Sequence, residues 1–231
     1  MTGADGAAAV AERVAEARSR IHAAAPDPSR VRLVAVTKGF GPEAVRAALS
    51  AGVTDIGENY ADELVGKAEA VAAANVGPGS GPAPRWHFLG AVQRNKVARL
   101  APLVDCWQSV SRIEEGRAIA RRRPGASILV QVDVVGGEGR NGCRPGEVAD
   151  LVASLRDEQL AVSGLMTIGP QGPPEASRPA FALVRELATD LGLAECSMGM
   201  TDDMDVALAE GSTMVRLGRA LFGERPRRAR A

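Results

Sequence analysis

Histidine and cysteine are scarce in this chain of 231 residues, and their scarcity removes whole classes of chemistry. His22 and His87 are the only histidines, and they have no metal-ligand spacing to each other or to a cysteine. Cys106, Cys143 and Cys196 form an odd, widely spaced set without a CxxC pair, so neither a disulfide framework nor a zinc site is expected. Net charge is absent too. Lys+Arg and Asp+Glu both number 28, which argues against a broad electrostatic footprint for nucleic acid. No apolar run approaches the ~20 residues that cross a bilayer. The Ala/Gly-rich, acidic N-terminus lacks the basic and apolar regions of a signal peptide. The expectation is a cytoplasmic protein with no nucleic-acid, membrane or metal partner.

What is present is an ordinary soluble composition, 45% hydrophobic and 24% charged, over a length that suits one α/β barrel or one doubly wound domain. Residues 1–8 read as disordered, and Ala9–Ala25 as a helix ended by Pro26-Asp-Pro28. Strand-like and helix-like segments then alternate. Strands are expected at Val31–Val36, Thr54–Ile56, Arg85–Leu89, Val104–Ser109, Ser127–Val134, Ala161–Thr167, Glu195–Ser197 and Thr213–Leu217. The helices between them are expected near Pro42–Ser50, Ala61–Ala74, Arg94–Ala101, Arg112–Arg122, Pro145–Arg156, Arg178–Leu191 and Asp202–Glu210, with a last turn at Arg219–Phe222. Gly77–Pro82, Gly136–Gly142 and Gly169–Pro174 read as loops. Such alternation implies a parallel sheet, and eight strand–helix units favour closure into a (β/α)8 barrel carrying an extra N-terminal helix. An open sheet is the alternative, because the second and seventh strands are short. The barrel is expected to occupy residues 9–223 as one domain, with 224–231 as a basic tail. The cluster Arg225-Pro-Arg-Arg-Ala-Arg230 in it reads as frayed and solvated.

Lys38 stands at the carboxyl end of the first strand, which in a barrel is the active-site end. A desolvated lysine there can lose its proton and attack a carbonyl; a solvated turn lysine is the other reading. Ser197-Met-Gly-Met-Thr201-Asp-Asp203 follows the seventh strand, where barrels often bind phosphate, and it joins a glycine and two hydroxyls to a helix start. Capping by Thr201 or Asp202 is compatible with that role. Arg216 alternates with Val215 and Leu217. If those two face outward, Arg216 points into the barrel and needs a partner. Gly218 and the amide of Arg219 are placed to meet an anion. Asn59 reads either as a turn residue or as a ligand contact, and His87 either as a core histidine bonded to backbone or as a general base. Gln93, Asn95 and Lys96 begin the next helix and suit a polar surface. Gly137-Glu-Gly139-Arg-Asn-Gly142 spells GxGxxG but follows the fifth strand, not the first, so a dinucleotide site is rejected in favour of a surface loop.

Val34-Ala-Val-Thr-Lys38, Ile56-Gly-Glu-Asn-Tyr60, Trp86-His-Phe-Leu-Gly90 with Gln93 and Asn95-Lys96, Ser197-Met-Gly-Met-Thr-Asp-Asp203, and Gly211-Ser-Thr-Met-Val-Arg-Leu-Gly218 with Leu221-Phe-Gly223 run in one order from about Val31 to Gly223. Together they resemble the pyridoxal phosphate homeostasis protein family, also called the proline synthase co-transcribed family. The resemblance implies a single TIM barrel of the fold-type III type, like the N-terminal barrel of alanine racemase, holding pyridoxal 5'-phosphate as a Schiff base on Lys38. It implies Arg216 near the pyridine nitrogen, Asn59 beside the cofactor, and Thr201, Gly218 and the backbone of Arg219 at the phosphate, with the loop from Ser197 to Thr201 helping to build that site. Thr37 and Thr201 replace the serines usual in the family, and Arg219 replaces a frequent threonine or serine.

An arginine against the pyridine nitrogen disfavours its protonation and weakens the ring as an electron sink. Related racemases also carry a second domain and a catalytic tyrosine from a partner subunit, whereas Tyr60 is the only tyrosine here. The expectation is therefore a monomeric cofactor carrier or buffer without catalytic residues, with apo forms of other pyridoxal phosphate enzymes as recipients. The alternative is a small racemase or lyase acting on amino acids.

Overall fold

The computed structural model describes residues 3–74, 82–136 and 141–225. Most of the Gly77–Pro82 and Gly136–Gly142 loops and all but the start of the basic tail lie outside the described residues.

Eight parallel strands close in sequence order into a barrel: β1 (Arg32–Val36), β2 (Asp55–Glu58), β3 (Arg85–Phe88), β4 (Val104–Val110), β5 (Ser127–Val132), β6 (Ala161–Thr167), β7 (Glu195–Ser197) and β8 (Met214–Leu217). Closure is made by β1 on β8, with Leu33 opposite Val215 and Ala35 opposite Leu217. The short second and seventh strands are both present, so the sheet is not open. β2 reaches Glu58, past its expected end at Ile56. β5 stops at Val132, short of Val134.

Helices α1 (Gly3–Ala24), α2 (Pro42–Ser50), α3 (Ala61–Ala74), α4 (Val97–Leu100), α5 (Ile113–Ala120), α6 (Val148–Asp157), α7 (Arg178–Asp190), α8 (Met204–Ala209) and α9 (Arg219–Phe222) surround the sheet. Their apolar residues recur at helical spacing: Val148, Val152 and Leu155 on α6, and Phe181, Val184 and Ala188 on α7, are all buried. Of the residues 1–8 expected to be disordered, those from Gly3 onward belong to α1, and the first two lie outside the described residues. Alanine-rich sequence is a strong helix former, and Val10, Val14, Ala17 and Ile21 make a buried stripe. That stripe packs outside the barrel on α2, α8 and α9, across the β8–β1 seam.

Strand alternation divides the core in two. Leu33, Ala35, Ile128, Val130, Leu165, Val215 and Leu217 join the large apolar layer beneath the helices. Val34, Leu129, Met166 and Met214, offset by one residue, form a small separate cluster with Cys106 inside the barrel. The remaining interior is polar: His87, Gln108, Ser197 and Arg216 are all buried there.

Candidate functional site

A cavity of about 390 Å³ opens at the carboxyl ends of the strands. Lys38, Asn59, Thr201, Arg216, Gly218 and Arg219 all line it. A larger hollow, about 560 Å³, lies at the opposite end, under α1, between Arg18, His22, Leu33 and Asp55. That end of a barrel serves stability, and it holds no lysine.

Lys38 is held by its neighbours' backbone. Glu63 Oε2 accepts the Gly39 amide at 2.8 Å, and Lys67 Nζ donates to the Thr37 carbonyl at 2.7 Å. The Thr37 hydroxyl donates to Glu58 Oε1 at 2.5 Å. Gly39 adopts φ +80, a left-handed conformation that suits glycine, and so turns the chain directly after the lysine. Lys67 also pairs with Glu58 at 2.5 Å and Glu63 at 3.3 Å. Burial pushes the Glu58 carboxyl up, with Lys67 and Thr37 pulling the other way. Lys38 itself makes no ion pair or hydrogen bond among the described residues. Burial lowers its pKa, and the charges of Arg225 and Arg216 add to the effect against a weaker opposing pull from Glu58. A larger share of the amine is thus uncharged near neutral pH, the form that attacks carbonyls.

Across the cavity Arg216 points inward, as the alternation on β8 predicts. Its Nη1 donates to Ser197 Oγ at 2.7 Å and its Nη2 to the Thr167 carbonyl at 2.7 Å. Burial brings its pKa down to about 10, opposed by Asp203. Ser197 was expected at the anion loop, yet its hydroxyl is fully buried behind Arg216 and does not line the cavity. Its place on β7, the last position before the loop, turns it into the barrel. At the rim, Thr201 Oγ1 accepts the Ala220 amide at 3.3 Å, and Arg219 forks onto Asp202 at 2.5 and 2.6 Å. These two contacts pin the loop after β7 to the turn after β8. The Arg219 side chain is spent on Asp202. At Gly218 a Cβ would sit 3.2 Å from the Val36 carbonyl oxygen, so glycine lets β8 lie close against β1 there.

Asn59 Oδ1 is buried without a hydrogen-bond partner, and Glu58 Oε2 likewise. A polar atom in that state wants a ligand, and Asn59 lines the cavity. An unpaired lysine, an inward arginine and an orphaned amide oxygen together suit a polar, carbonyl-bearing group. Tyr60 is 56% exposed and does not line the cavity. His87 is a core histidine, bonded to Asp55 and Gln108 side chains and not to backbone.

Three participants were not foreseen. Glu58 and Lys67 lie in the expected strand-2 loop and helix, and only an acid five residues before a helical Glu63-Lys67 pair could have hinted at them. Arg225 was placed in a frayed tail, but Glu224 and Arg225 line the cavity, and the Arg225 Cδ lies 3.2 Å from where a Cβ on Gly39 would stand. The reversal at Gly223, with φ +76, brings the chain back over the mouth.

The model of the alanine racemase N-terminal domain matches residues 7–226. The pyridoxal phosphate homeostasis protein of Pseudomonas aeruginosa is 38% identical, covering 94% of this chain and 96% of its own. That of Escherichia coli K12 is 31% identical, covering 94% and 97%. Among solved structures, PipY of Synechococcus elongatus with PLP bound superposes with a TM-score of 0.80 at 30% identity, over 93% of this chain and 100% of that one. A barrel matched along nearly its whole length, with its sequence likeness extending to the cavity, settles the kinship: the chain belongs to the pyridoxal phosphate homeostasis protein family.

Proposed function

We propose that this protein binds pyridoxal 5'-phosphate as a Schiff base on Lys38 and serves as a cytoplasmic, monomeric carrier or buffer of that cofactor, with apo enzymes as recipients. The observation that carries the reading is the state of Lys38: a half-buried amine with no partner among the described residues, facing a cavity that also presents Arg216 and the orphaned Asn59 oxygen. Bound pyridoxal phosphate supplies an aldehyde for the amine and, in enzymes, an electron sink.

The chain's own residues divide the work. Lys38 supplies a nucleophile whose pKa is lowered by burial and by two nearby cations, so that it sheds its proton more readily. Arg216, as a permanent donor, favours an unprotonated pyridine nitrogen against it. Asn59 offers its oxygen to the ligand's polar edge. Thr201, Gly218 and the Arg219 backbone frame the phosphate, while the Arg219 side chain braces the rim through Asp202. Ser197 acts behind Arg216. Tyr60, the only tyrosine, does not line the cavity, so this chain places no tyrosine acid/base group there itself. That favours holding cofactor over turning over amino acids.

The absorbance spectrum of the purified protein tests the reading. A visible band that appears with pyridoxal phosphate and changes only slowly with D- or L-amino acids is expected. No visible band refutes cofactor binding, and rapid product formation refutes the carrier role.

A further inference from the structure

A chain of buried side chains runs through the barrel from Arg216 to its far end. Arg216 Nη1 donates to Ser197 Oγ at 2.7 Å. The Ser197 hydroxyl donates to Gln108 Oε1 at 2.6 Å. Gln108 Nε2 lies 2.7 Å from His87 Nδ1, and His87 Nε2 lies 2.8 Å from Asp55 Oδ1. Gln108, Ser197 and His87 are fully buried. Asp55 lines the lower hollow.

Only one proton assignment satisfies every member. Arg216 can only donate, so the Ser197 oxygen accepts and its proton must go elsewhere. The Gln108 oxygen is its acceptor. The Gln108 amide nitrogen then faces His87 and, at 2.9 Å, Met214 Sδ. A thioether carries no hydrogen, so the Met214 contact independently requires nitrogen on that side. His87 Nδ1 must accept, hence it is unprotonated, and Nε2–H donates to the Asp55 carboxylate. Burial works against the Asp55 carboxylate, yet its interactions with His87 and the charges of Arg85 and Arg32 hold the carboxyl below its ordinary value.

We propose that His87 and Gln108 are positioning residues for Arg216: they lock the Ser197 hydroxyl with its lone pair toward the guanidinium, and so fix the donor that meets the cofactor's ring. This rests on the reading of Arg216 as a cofactor contact. The buried arginine has neutral acceptors only, Ser197 Oγ and the Thr167 carbonyl. Thr167 is a backbone anchor that cannot be reoriented. The hydroxyl can, and without Gln108 its proton is free to turn toward Arg216 and repel it. Arg216 would then lose one of two contacts that set its direction, and a partly satisfied network loses the gain of the whole.

Two measurements test this. Long-range proton–nitrogen NMR on protein without added cofactor reports the tautomer of His87, and a His22→Gln control assigns the only other histidine. The neutral Nε2–H tautomer is expected; a protonated Nδ1 overturns the chain, whatever becomes of cofactor binding. Pyridoxal phosphate affinity is then measured for Gln108→Leu in the native and in an Arg216→Leu background. A loss of roughly fivefold to tenfold, the size of one buried hydrogen bond, is expected in the first, and no further loss in the second. Equal losses in both backgrounds, or none in either, overturn the positioning role. A wild-type protein that takes up no cofactor would instead sink the carrier reading, with the tautomer still deciding the network.

Discussion

The β1–β2 side of the mouth and the β7–β8 side treat buried charge in opposite ways. On the first side, Lys67 is only 5% exposed and pairs with two carboxylates, while Lys38 is less buried and makes no ion pair among the described residues. On the second, Arg216 is buried against neutral acceptors, while the charged pair Arg219–Asp202 stays in solvent. Depth therefore does not identify the reactive amine. Pairing does: Lys67 is taken up by Glu58, Glu63 and the Thr37 carbonyl, while Lys38 has no partner among the described residues. Across the cavity, a cation that makes no salt bridge among the described residues is available to a ligand.

Lys38→Ala should sharpen the contrast most. The visible band should vanish, yet stability should stay within about 0.5 kcal/mol of wild type, because an unpaired, half-buried amine contributes little to folding. A calorimetric scan beside the spectrum checks both. Lys67→Met should do the converse. It leaves Glu58 buried and unpaired, a change that costs about 3–5 kcal/mol. Because burial raises the Glu58 carboxyl in the folded state, its contribution is present at acid pH and is lost as pH climbs through the raised value. The variant should therefore lose stability more steeply than wild type as pH rises, and recover in part with Glu58→Gln added. Denaturant titrations across the carboxylate range would show it; a flat pH response would contradict the buried-pair account.

Arg225→Ala should have a subtler effect. Removing one of the cations that depress Lys38 should move the pH profile of pyridoxal phosphate capture toward alkaline values, as stopped-flow absorbance would record. An unmoved profile would show that Arg225 does not act on Lys38. Thr201→Ala should be smallest, weakening pyridoxal phosphate by roughly fivefold, about one hydrogen bond, and leaving dephosphorylated pyridoxal unaffected. Equal weakening of both ligands would remove Thr201 from the phosphate rim.

The barrel was legible because its strands are either near-continuous apolar runs, as at Ser127–Val132, or alternations that a period-2 reading resolves, as at Met214–Leu217. The inward phase of Arg216 followed from that period. β2 was under-read because only Ile56 in it carries an apolar side chain. Gly57 is glycine where a Cβ would sit 2.7 Å from Leu89 Cδ1, and Glu58 is a buried acid whose partner lies a helix away. Burial of a charge is a tertiary fact, and local pattern carries no trace of it. Ser197 was expected at the anion loop, but a strand's last residue can face the loop or the interior, and only the closed barrel shows that it faces the interior. Arg225 was misplaced because its order comes from the turn at Gly223 and the floor at Gly39, and a run of arginines and prolines looks solvated by composition.

The most direct test of the central claim is chemical. Borohydride reduction of the pyridoxal phosphate-loaded protein, followed by digestion and peptide mass mapping, asks which amine carries the cofactor. The account predicts a single modified peptide containing Lys38, with Lys67 unmodified because its amine is held by Glu58, Glu63 and the Thr37 carbonyl. Cofactor mass on the Lys67 or Lys96 peptide, with none on Lys38, would contradict it.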